Sequence, residues 1–99
     1  MAKWILPAIL SWSFAATGAP LHVLIDPGHG GRDHGTVRDG VRESTITLSV
    51  AQKLLALLNR DHRFSARLTR AADESVSLYR RALDAKQEKA DLFLSIHVN

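Results

Sequence analysis

Alternation between short apolar segments and stretches of helical periodicity constrains the fold of this 99-residue chain more than any other feature of its sequence. Segments 21–25, 64–69 and 92–97 have the aliphatic and β-branched character of strands. Between them, apolar residues recur at spacings of three and four, as on one face of a helix. Strands that alternate with helices form right-handed βαβ units, so we predict an α/β fold with a mostly parallel or mixed sheet and flanking helices.

Two helices are predicted between these strands. The first helix should end near residues 59–61. Its predicted inward-facing residues are Ile46, Val50, Leu54, Leu57 and Leu58. The second helix covers residues 77–89, and its predicted inward-facing residues are Leu78, Ala82 and Ala85. Segment 92–97 is almost continuously apolar, which is typical of a strand that is buried on both faces.

A glycine-rich stretch follows the first strand. Asp26-Pro27-Gly28 is a turn signal, because proline presets φ and glycine tolerates left-handed geometry. Residues 28–40 hold five of the six glycines, so we predict a long functional loop over the strand end. An anion cradle is a weaker interpretation of this loop, since it lacks the Lys and Ser/Thr of a phosphate-binding loop.

Two histidines and one glutamate are the candidate metal ligands. His29 follows the first strand, Glu43 stands at the start of the first helix, and His97 ends the last strand. Reactive groups of parallel sheets gather at the carboxyl ends of the strands. A set of this type binds catalytic zinc and leaves a fourth position for water, which the metal acidifies into a nucleophile. The pattern therefore indicates hydrolysis.

Each of these three residues also has a simpler interpretation, and spacing alone does not decide between the two. His29 could be a solvated loop residue, and Glu43 could be an acid that favours the helix macrodipole. His97 could be bonded to the backbone at a strand end. The chain has no compact pair of the type His-Glu-x-x-His, in which helical geometry would bring two ligands together.

Composition narrows the classes of function. The formal net charge is +3, without a basic cluster or interleaved aromatic residues, which argues against nucleic acid as a partner. With 45% hydrophobic and 23% charged residues, a folded domain is expected. The chain has no cysteine, which excludes disulfides, thiolate chemistry and cysteine zinc sites but fits either redox compartment.

The N-terminus predicts export. Lys3 precedes an apolar run over residues 4–16, and small residues follow at 15–19, as in a signal peptide. The run is shorter than the ~20 residues of a membrane-spanning helix, so no stable membrane span is expected. We predict a signal peptide over residues 1–19 and a domain over residues 20–99. The alternative is a short apolar helix that stays attached.

Several separated motifs follow one another in this chain. They are Asp26-Pro-Gly-His-Gly-Gly-Arg-Asp-x-Gly35, Glu43 before a helix, Thr69-Arg70 followed by Asp73, Leu78-x-x-Arg81, and Ala90-Asp-Leu-Phe-Leu-Ser-Ile-His-Val-Asn99. Together, from about residue 21 onward, they resemble the type 3 family of zinc-dependent N-acetylmuramoyl-L-alanine amidases. The resemblance implies that His29, Glu43 and His97 are Zn²⁺ ligands.

The same resemblance implies a substrate and a location. The substrate would be peptidoglycan, cut at the amide between N-acetylmuramic acid and the L-alanine of the stem peptide. An exported enzyme of the periplasm or cell envelope would meet this substrate. An activator protein is left open as a further partner.

One family position has no counterpart in this sequence. By the resemblance, the general base is a glutamate well after the Ser-Ile-His segment, so we expect it beyond Asn99 and assign no catalytic residue. Asp33 and Asp39 are interpreted as shaping turns or orienting ligands, and Glu74 lies outside the motifs. An incomplete domain, the N-terminal part of the catalytic domain, is therefore expected. The alternative function is a non-catalytic remnant that binds zinc or wall fragments.

Two arginines and three further histidines receive structural interpretations. Arg70 and Arg81 lie in the motifs, and either pair with acids or approach a substrate carboxylate; we prefer structural ion pairs. The three histidines are interpreted as structural or solvated: His22, His34 and His62.

Overall fold

The computed structural model of the protein describes residues 18–98. In chain order its elements are β1 (Leu21–Pro27), β2 (Val37–Arg38), β3 (Val41–Arg42), α1 (Glu43–Leu58), β4 (Phe64–Leu68), α2 (Leu78–Gln87) and β5 (Leu92–Ile96). The predicted α/β class is confirmed. Residues 1–17, which carry the apolar run of the predicted signal peptide, lie outside this description. Between residues 18 and 98, none of the helices combines the length and the apolar character needed to cross a membrane.

The three longer strands form one parallel sheet in the order β4-β1-β5. Strand β1 is central: Ile25 is in register with Leu68 on one side and with Leu94 on the other. At the carboxyl edge, Pro27 of β1 is in register with Ile96 of β5. Because parallel strands end at the same edge, the residues that follow β1 and β5 lie side by side.

The hydrophobic core lies between this sheet and α1. Its buried residues are Val23, Ile25, Ala51 and Ala66, with Leu54, Leu55, Leu58, Phe64, Leu68 and Ile96 packed around them. Burying one aliphatic side chain stabilises a fold by about 1.5–3 kcal/mol, so this cluster is the main apolar support of the sheet. The predicted end of the first helix is confirmed, since α1 ends at Leu58.

The inward face of α1 differs from the predicted stripe in its first turns. Leu54 and Leu58 pack on the core as predicted, whereas Ile46, Val50 and Leu57 are exposed. The buried residues of the helix are Glu43, Ser44, Thr47 and Ala51. The helix begins against the polar loop that follows β1, so small and hydrogen-bonding side chains occupy the contact and rotate the larger residues outward.

Strand β5 and helix α2 are more exposed than predicted. Leu92, Phe93 and Leu94 are exposed, because β5 is an edge strand that pairs only with β1 in the described part of the chain. The prediction that this strand is buried on both faces is therefore wrong. On α2, Leu78 is 84% exposed, and the buried residue is Arg81. The buried side chain that holds α2 in place is thus the polar Arg81, whereas apolar side chains such as Leu78 were predicted to do so.

A short hairpin interrupts the predicted loop over residues 28–40. Strands β2 and β3 pair antiparallel, and the two residues between them, Asp39 and Gly40, have φ values of 52° and 76°. Positive φ at both positions is the geometry of a type I′ turn, for which Asp-Gly is a favoured sequence. The hairpin leads the chain directly into α1, which begins at Glu43.

Candidate metal centre

His29 projects from a tight turn after β1. Its backbone has a φ of 64°, in the left-handed region, and the turn is closed by hydrogen bonds between Gly30 and Asp33 in both directions. The Asp33 carboxylate lies 2.7 Å from His29 Nδ1. This hydrogen bond is the main reason why the pKa of Asp33 lies below its usual value. A carboxylate on Nδ1 fixes the orientation of the ring and leaves Nε2 for another partner.

Glu43 is the first residue of α1 and is only 5% exposed. The backbone N–H of Thr36 donates to Oε1 at 3.0 Å, and that of Val98 donates to Oε2 at 2.8 Å. These two hydrogen bonds lower the pKa of Glu43 to about 2. The carboxylate is therefore ionised at neutral pH and held in one orientation, as a metal ligand requires.

His97 follows β5, and its ring lies against Gly28, the residue before His29, which has no side chain. A Cβ at position 28 would lie 2.5 Å from His97 Cε1 and 2.8 Å from the carbonyl oxygen of Ile96. The Gly28 N–H donates to that same carbonyl at 2.9 Å, which holds the end of β1 against the end of β5. Glycine at this position is therefore required by space.

The three candidate ligands form a nearly equilateral triangle. His29 Nε2 lies 3.2 Å from Glu43 Oε2, His97 Nδ1 lies 3.4 Å from the same oxygen, and the two nitrogens are 3.3 Å apart. A tetrahedral zinc site with bonds of about 2.0–2.1 Å has edges of about 3.3–3.4 Å. The donor set and its spacing thus fit zinc. Within residues 18–98, this is the one group of three His or acidic side chains whose ligand atoms come so close together.

Gly35 precedes the hairpin and lies against two of the three candidate ligands. Its φ of 66° is in the left-handed region, and a Cβ there would lie 2.6 Å from both Glu43 Oε1 and His29 Cδ2. A side chain at this position would therefore push the first two candidate ligands apart.

The remaining histidines and acids lie outside the triangle. His22 binds the Ser65 carbonyl through Nδ1 and lies 3.4 Å from Glu88 through Nε2, so its structural interpretation is confirmed. His62 is exposed, as predicted. His34 contributes its carbonyl, which accepts from the Ser44 N–H at the start of α1.

The interpretation of Asp33 and Asp39 as turn-shaping residues agrees with their positions, and Asp33 also contacts a candidate ligand.

Arg81 forms the predicted structural ion pair, and this pair is buried. Its Nη1 donates to Asp26 Oδ1 at 2.8 Å and to the Pro27 carbonyl at 2.8 Å. Its Nη2 donates to the carbonyl of His29 at 2.8 Å, and its Nε donates to that of Val76 at 3.0 Å. Arg81 therefore joins α2 to the segment that carries the first candidate ligand.

Arg70 binds carbonyls instead of the predicted acid. Its side chain is almost completely buried and donates to the carbonyl oxygens of Pro27, Gly28, Ser44 and Ala72. Burial lowers the pKa of Arg70 from its ordinary value. Arginine has five donors in a fixed plane, which suits a site where several backbone oxygens converge.

Asp26 is a structural centre that the sequence did not single out beyond its turn motif. It is 4% exposed and accepts hydrogen bonds from Arg81, from Thr69 Oγ1 at 2.8 Å and from Ser95 Oγ at 2.7 Å. These donors come from α2, from the residue after β4, and from β5. Their convergence depends on strand register, so no local signal in the sequence could have revealed it.

An open cleft of about 760 Å³ lies beside the triangle, between α2 and β5. Its lining includes His29 and His97 together with Arg81, Phe93 and Ser95. The cleft therefore offers a ligand direct access to two of the three candidate metal ligands.

A parallel α/β sheet with a His, Glu, His triangle at the carboxyl ends of its strands defines a protein with a candidate mononuclear metal site. Comparison with known families identifies the family of this chain. Residues 23–99 match the type 3 family model described as N-acetylmuramoyl-L-alanine amidase. The chain belongs to this family.

Known amidases are similar to this chain in both sequence and fold. The N-acetylmuramoyl-L-alanine amidase AmiA of Salmonella typhimurium is 44% identical over 84 residues, which cover 84% of this chain and 29% of that protein. A solved N-acetylmuramoyl-L-alanine amidase from Clostridium difficile 630 is 36% identical, with a TM-score of 0.79 over 83% of this chain and 45% of that one. The CwlD amidase from Clostridioides difficile, solved in complex with the GerS lipoprotein, is 27% identical with a TM-score of 0.74, over 80% of this chain and 48% of that one. The chain thus spans less than half of the length of each of these proteins.

Proposed function

We propose that this chain provides the zinc site of a peptidoglycan hydrolase, with His29, Glu43 and His97 as the three protein ligands. The observation that carries the proposal is the triangle of ligand atoms with sides of 3.2–3.4 Å. A zinc ion held there would supply a Lewis acid and would lower the pKa of a bound water to about 7. Family membership supports the amide between N-acetylmuramic acid and L-alanine as the bond that is cut.

The residues of the chain would prepare this site for metal. Glu43 is ionised, and its Oε2 faces both imidazoles. Asp33 holds His29 through Nδ1, which leaves Nε2 toward the other two ligands. The cleft beside the triangle would admit the substrate.

Zinc content tests the ligand assignment. The wild-type chain should bind one zinc ion, and His29→Ala and His97→Ala should each abolish stoichiometric binding because a ligand is lost. His62→Ala is the matched control, since His62 is exposed and outside the triangle. Full zinc retention by both ligand variants would refute the assignment.

A second candidate function is metal binding without turnover. The two carboxylates that line the cleft within residues 18–98 are Asp26 and Asp33, and both are engaged. Asp26 is paired with Arg81, and Asp33 with His29. Each of the two carboxylates therefore already has a structural partner. This observation favours the alternative in which zinc or wall fragments are bound without hydrolysis.

Hydrolysis of purified peptidoglycan by the zinc-loaded chain separates the two candidates. Amidase action releases stem peptides with a new L-alanine amino terminus, which can be labelled and counted. Product formation that disappears in His29→Ala supports the hydrolase. Zinc binding without product supports the non-catalytic alternative for this chain.

We also propose export to the periplasm or cell envelope, with residues 1–19 as a signal peptide and 20–99 as part of the catalytic domain. The support is the basic and apolar pattern of the N-terminus. The amino-terminal sequence of the protein from its native cells tests this, because an intact Met1 would contradict cleavage. A protein partner belongs to the proposal because the CwlD relative was solved with the GerS lipoprotein; co-purification from the cell envelope checks it.

A further inference from the structure

The three segments that carry the candidate ligands are joined by one buried polar network, which consists of Asp26, Arg70 and Arg81 and is called here the arginine network. The side chains of its members are nearly inaccessible to solvent. The network also contacts three hydroxyl groups, those of Ser95 in β5, Thr47 in α1 and Thr69, which follows β4. Its other partners are backbone carbonyls. The network therefore makes specific contacts with each of the three segments.

Arg81 holds the His29 segment. It donates to the carbonyl oxygen of His29 itself at 2.8 Å and to that of Pro27 at 2.8 Å. His29 has a φ of 64°, a conformation that is uncommon for residues other than glycine. Two charge-assisted hydrogen bonds from a planar guanidinium hold the backbone of this segment in place.

Arg70 joins the same segment to the start of α1. Its Nη2 donates to the carbonyl oxygens of Gly28 and Ser44, each at 3.0 Å. Gly28 precedes His29, and Ser44 follows Glu43. One guanidinium nitrogen therefore links the backbone neighbours of two candidate ligands and sets the distance between their segments.

Asp26 extends the network to β5. Its Oδ2 accepts from Ser95 Oγ at 2.7 Å, and its Oδ1 accepts from Arg81 at 2.8 Å. Ser95 lies two residues before His97. The third ligand segment is thus tied to the same guanidinium that holds the first.

We propose that Arg70 and Arg81 are positioning residues, which set the spacing of the three ligand segments before a metal ion is bound. This inference rests on the proposed zinc site. Neither arginine reaches a candidate ligand atom; both act through backbone carbonyls. A ligand set that is spaced in advance loses less conformational freedom when the metal binds, so metal affinity depends on the network.

Charge-preserving variants test the inference. In Arg81→Lys, the ammonium can still face Asp26, but it cannot also bridge the carbonyls of Pro27 and His29 as the planar guanidinium does. Arg70→Lys removes the corresponding bridge to Ser44. Arg80→Lys is the matched control, because Arg80 lies on the same helix and its exposed side chain is also paired with an acid.

Zinc affinity is measured by competition with a chromophoric chelator, in buffer where circular dichroism shows each metal-free variant to be folded. Loss of a group that directly contacts a metal ligand typically lowers affinity by about 10–100-fold; because the two arginines act through the backbone, a loss toward the lower end, about 10-fold, is expected for Arg81→Lys and Arg70→Lys. The visible absorption of bound Co²⁺ should also change in position or intensity. The control should match wild type in both measurements.

The outcomes separate the inference from its premise. If wild type binds no zinc, the proposed function fails, and the inference fails with it. If wild type binds zinc, and both lysine variants bind it within two-fold of wild type with the same Co²⁺ spectrum, the network is merely structural.

Ser95→Ala covers the case in which the lysine variants do not fold. Ser95 is exposed, and its loss removes only the tie from Asp26 to β5. A several-fold loss of zinc affinity with an altered Co²⁺ spectrum supports positioning by the network. Unchanged affinity and spectrum in the folded variant overturn it.

Discussion

Replacement of Asp26 by Asn should destabilise the metal-free protein strongly. Asp26 is 4% exposed, and its carboxylate faces the Arg81 guanidinium at 2.8 Å. Asparagine keeps the shape but removes the charge, and removal of one partner from a buried pair typically costs about 3–5 kcal/mol. Arg81 retains three carbonyl acceptors, which places the expected loss near the lower end of that range.

The assay is urea unfolding in the presence of a chelator, followed by circular dichroism. With a slope of about 1 kcal/mol per M for a small domain, a loss of about 3 kcal/mol should lower the unfolding midpoint by about 3 M or leave the variant unfolded. The comparison is Asp84→Asn, which breaks the i,i+4 pair with the exposed Arg80 and should cost about 0.3–0.5 kcal/mol. Equal midpoints for the two variants would refute the argument from burial.

Three further predictions concern single residues. Asp33→Asn removes the carboxylate on His29 Nδ1, so zinc affinity should fall by about 10–100-fold in a chelator competition. Gly28→Ala would place a Cβ 2.5 Å from His97 Cε1, so the ring must move and zinc affinity should fall. A neighbouring arginine lowers the pKa of Asp61 to about 2, so its contribution to stability is present above the ordinary value of 3.8 and is lost as pH falls from 3.8 toward 2. Asp61→Asn should therefore flatten the pH dependence of the urea midpoint over that interval.

Matched controls accompany these variants. Asp39→Asn changes a hairpin acid away from the triangle and should keep wild-type zinc affinity, because asparagine also tolerates the positive φ of this position. Wild-type affinity in Asp33→Asn or Gly28→Ala would contradict the geometry of the candidate centre. An unaltered acid profile in Asp61→Asn would show that its ion pair with Arg63 contributes nothing measurable.

Much of the fold followed from periodicity. Both helices and the three sheet strands were predicted, because period-two and period-3.6 patterns report which residues face a core. The exposure of β5 was not predicted, since Leu92 and Phe93 have the same apolar character on an edge strand as on a central one. The rotation of α1 was missed because polar contacts at Ser44 and Thr47 outweigh hydrophobicity there.

The candidate centre also has features that the sequence predicted and features that only the structure showed. Its three candidate ligands were singled out from chemistry and from their places after strands and at a helix start, and the resemblance of the motifs decided against the simpler interpretations. The structure brings those side chains together. The position of Asp33 on His29 agrees with the suggestion that loop acids orient ligands. Arg70 was expected to pair with an acid, yet it binds backbone carbonyls, which every residue carries and which no sequence pattern can distinguish.

The sequence by itself determined the class of fold, the residue types of the candidate centre and the glycine-rich loop beside it. These features depend on local periodicity, on side-chain chemistry and on backbone freedom, which are properties of individual residues and their near neighbours. Only the tertiary structure decided that Glu43 faces both imidazoles through Oε2, and that Asp26 gathers donors from three separate segments. Those contacts depend on the register of parallel strands, which brings together residues that are far apart in the chain.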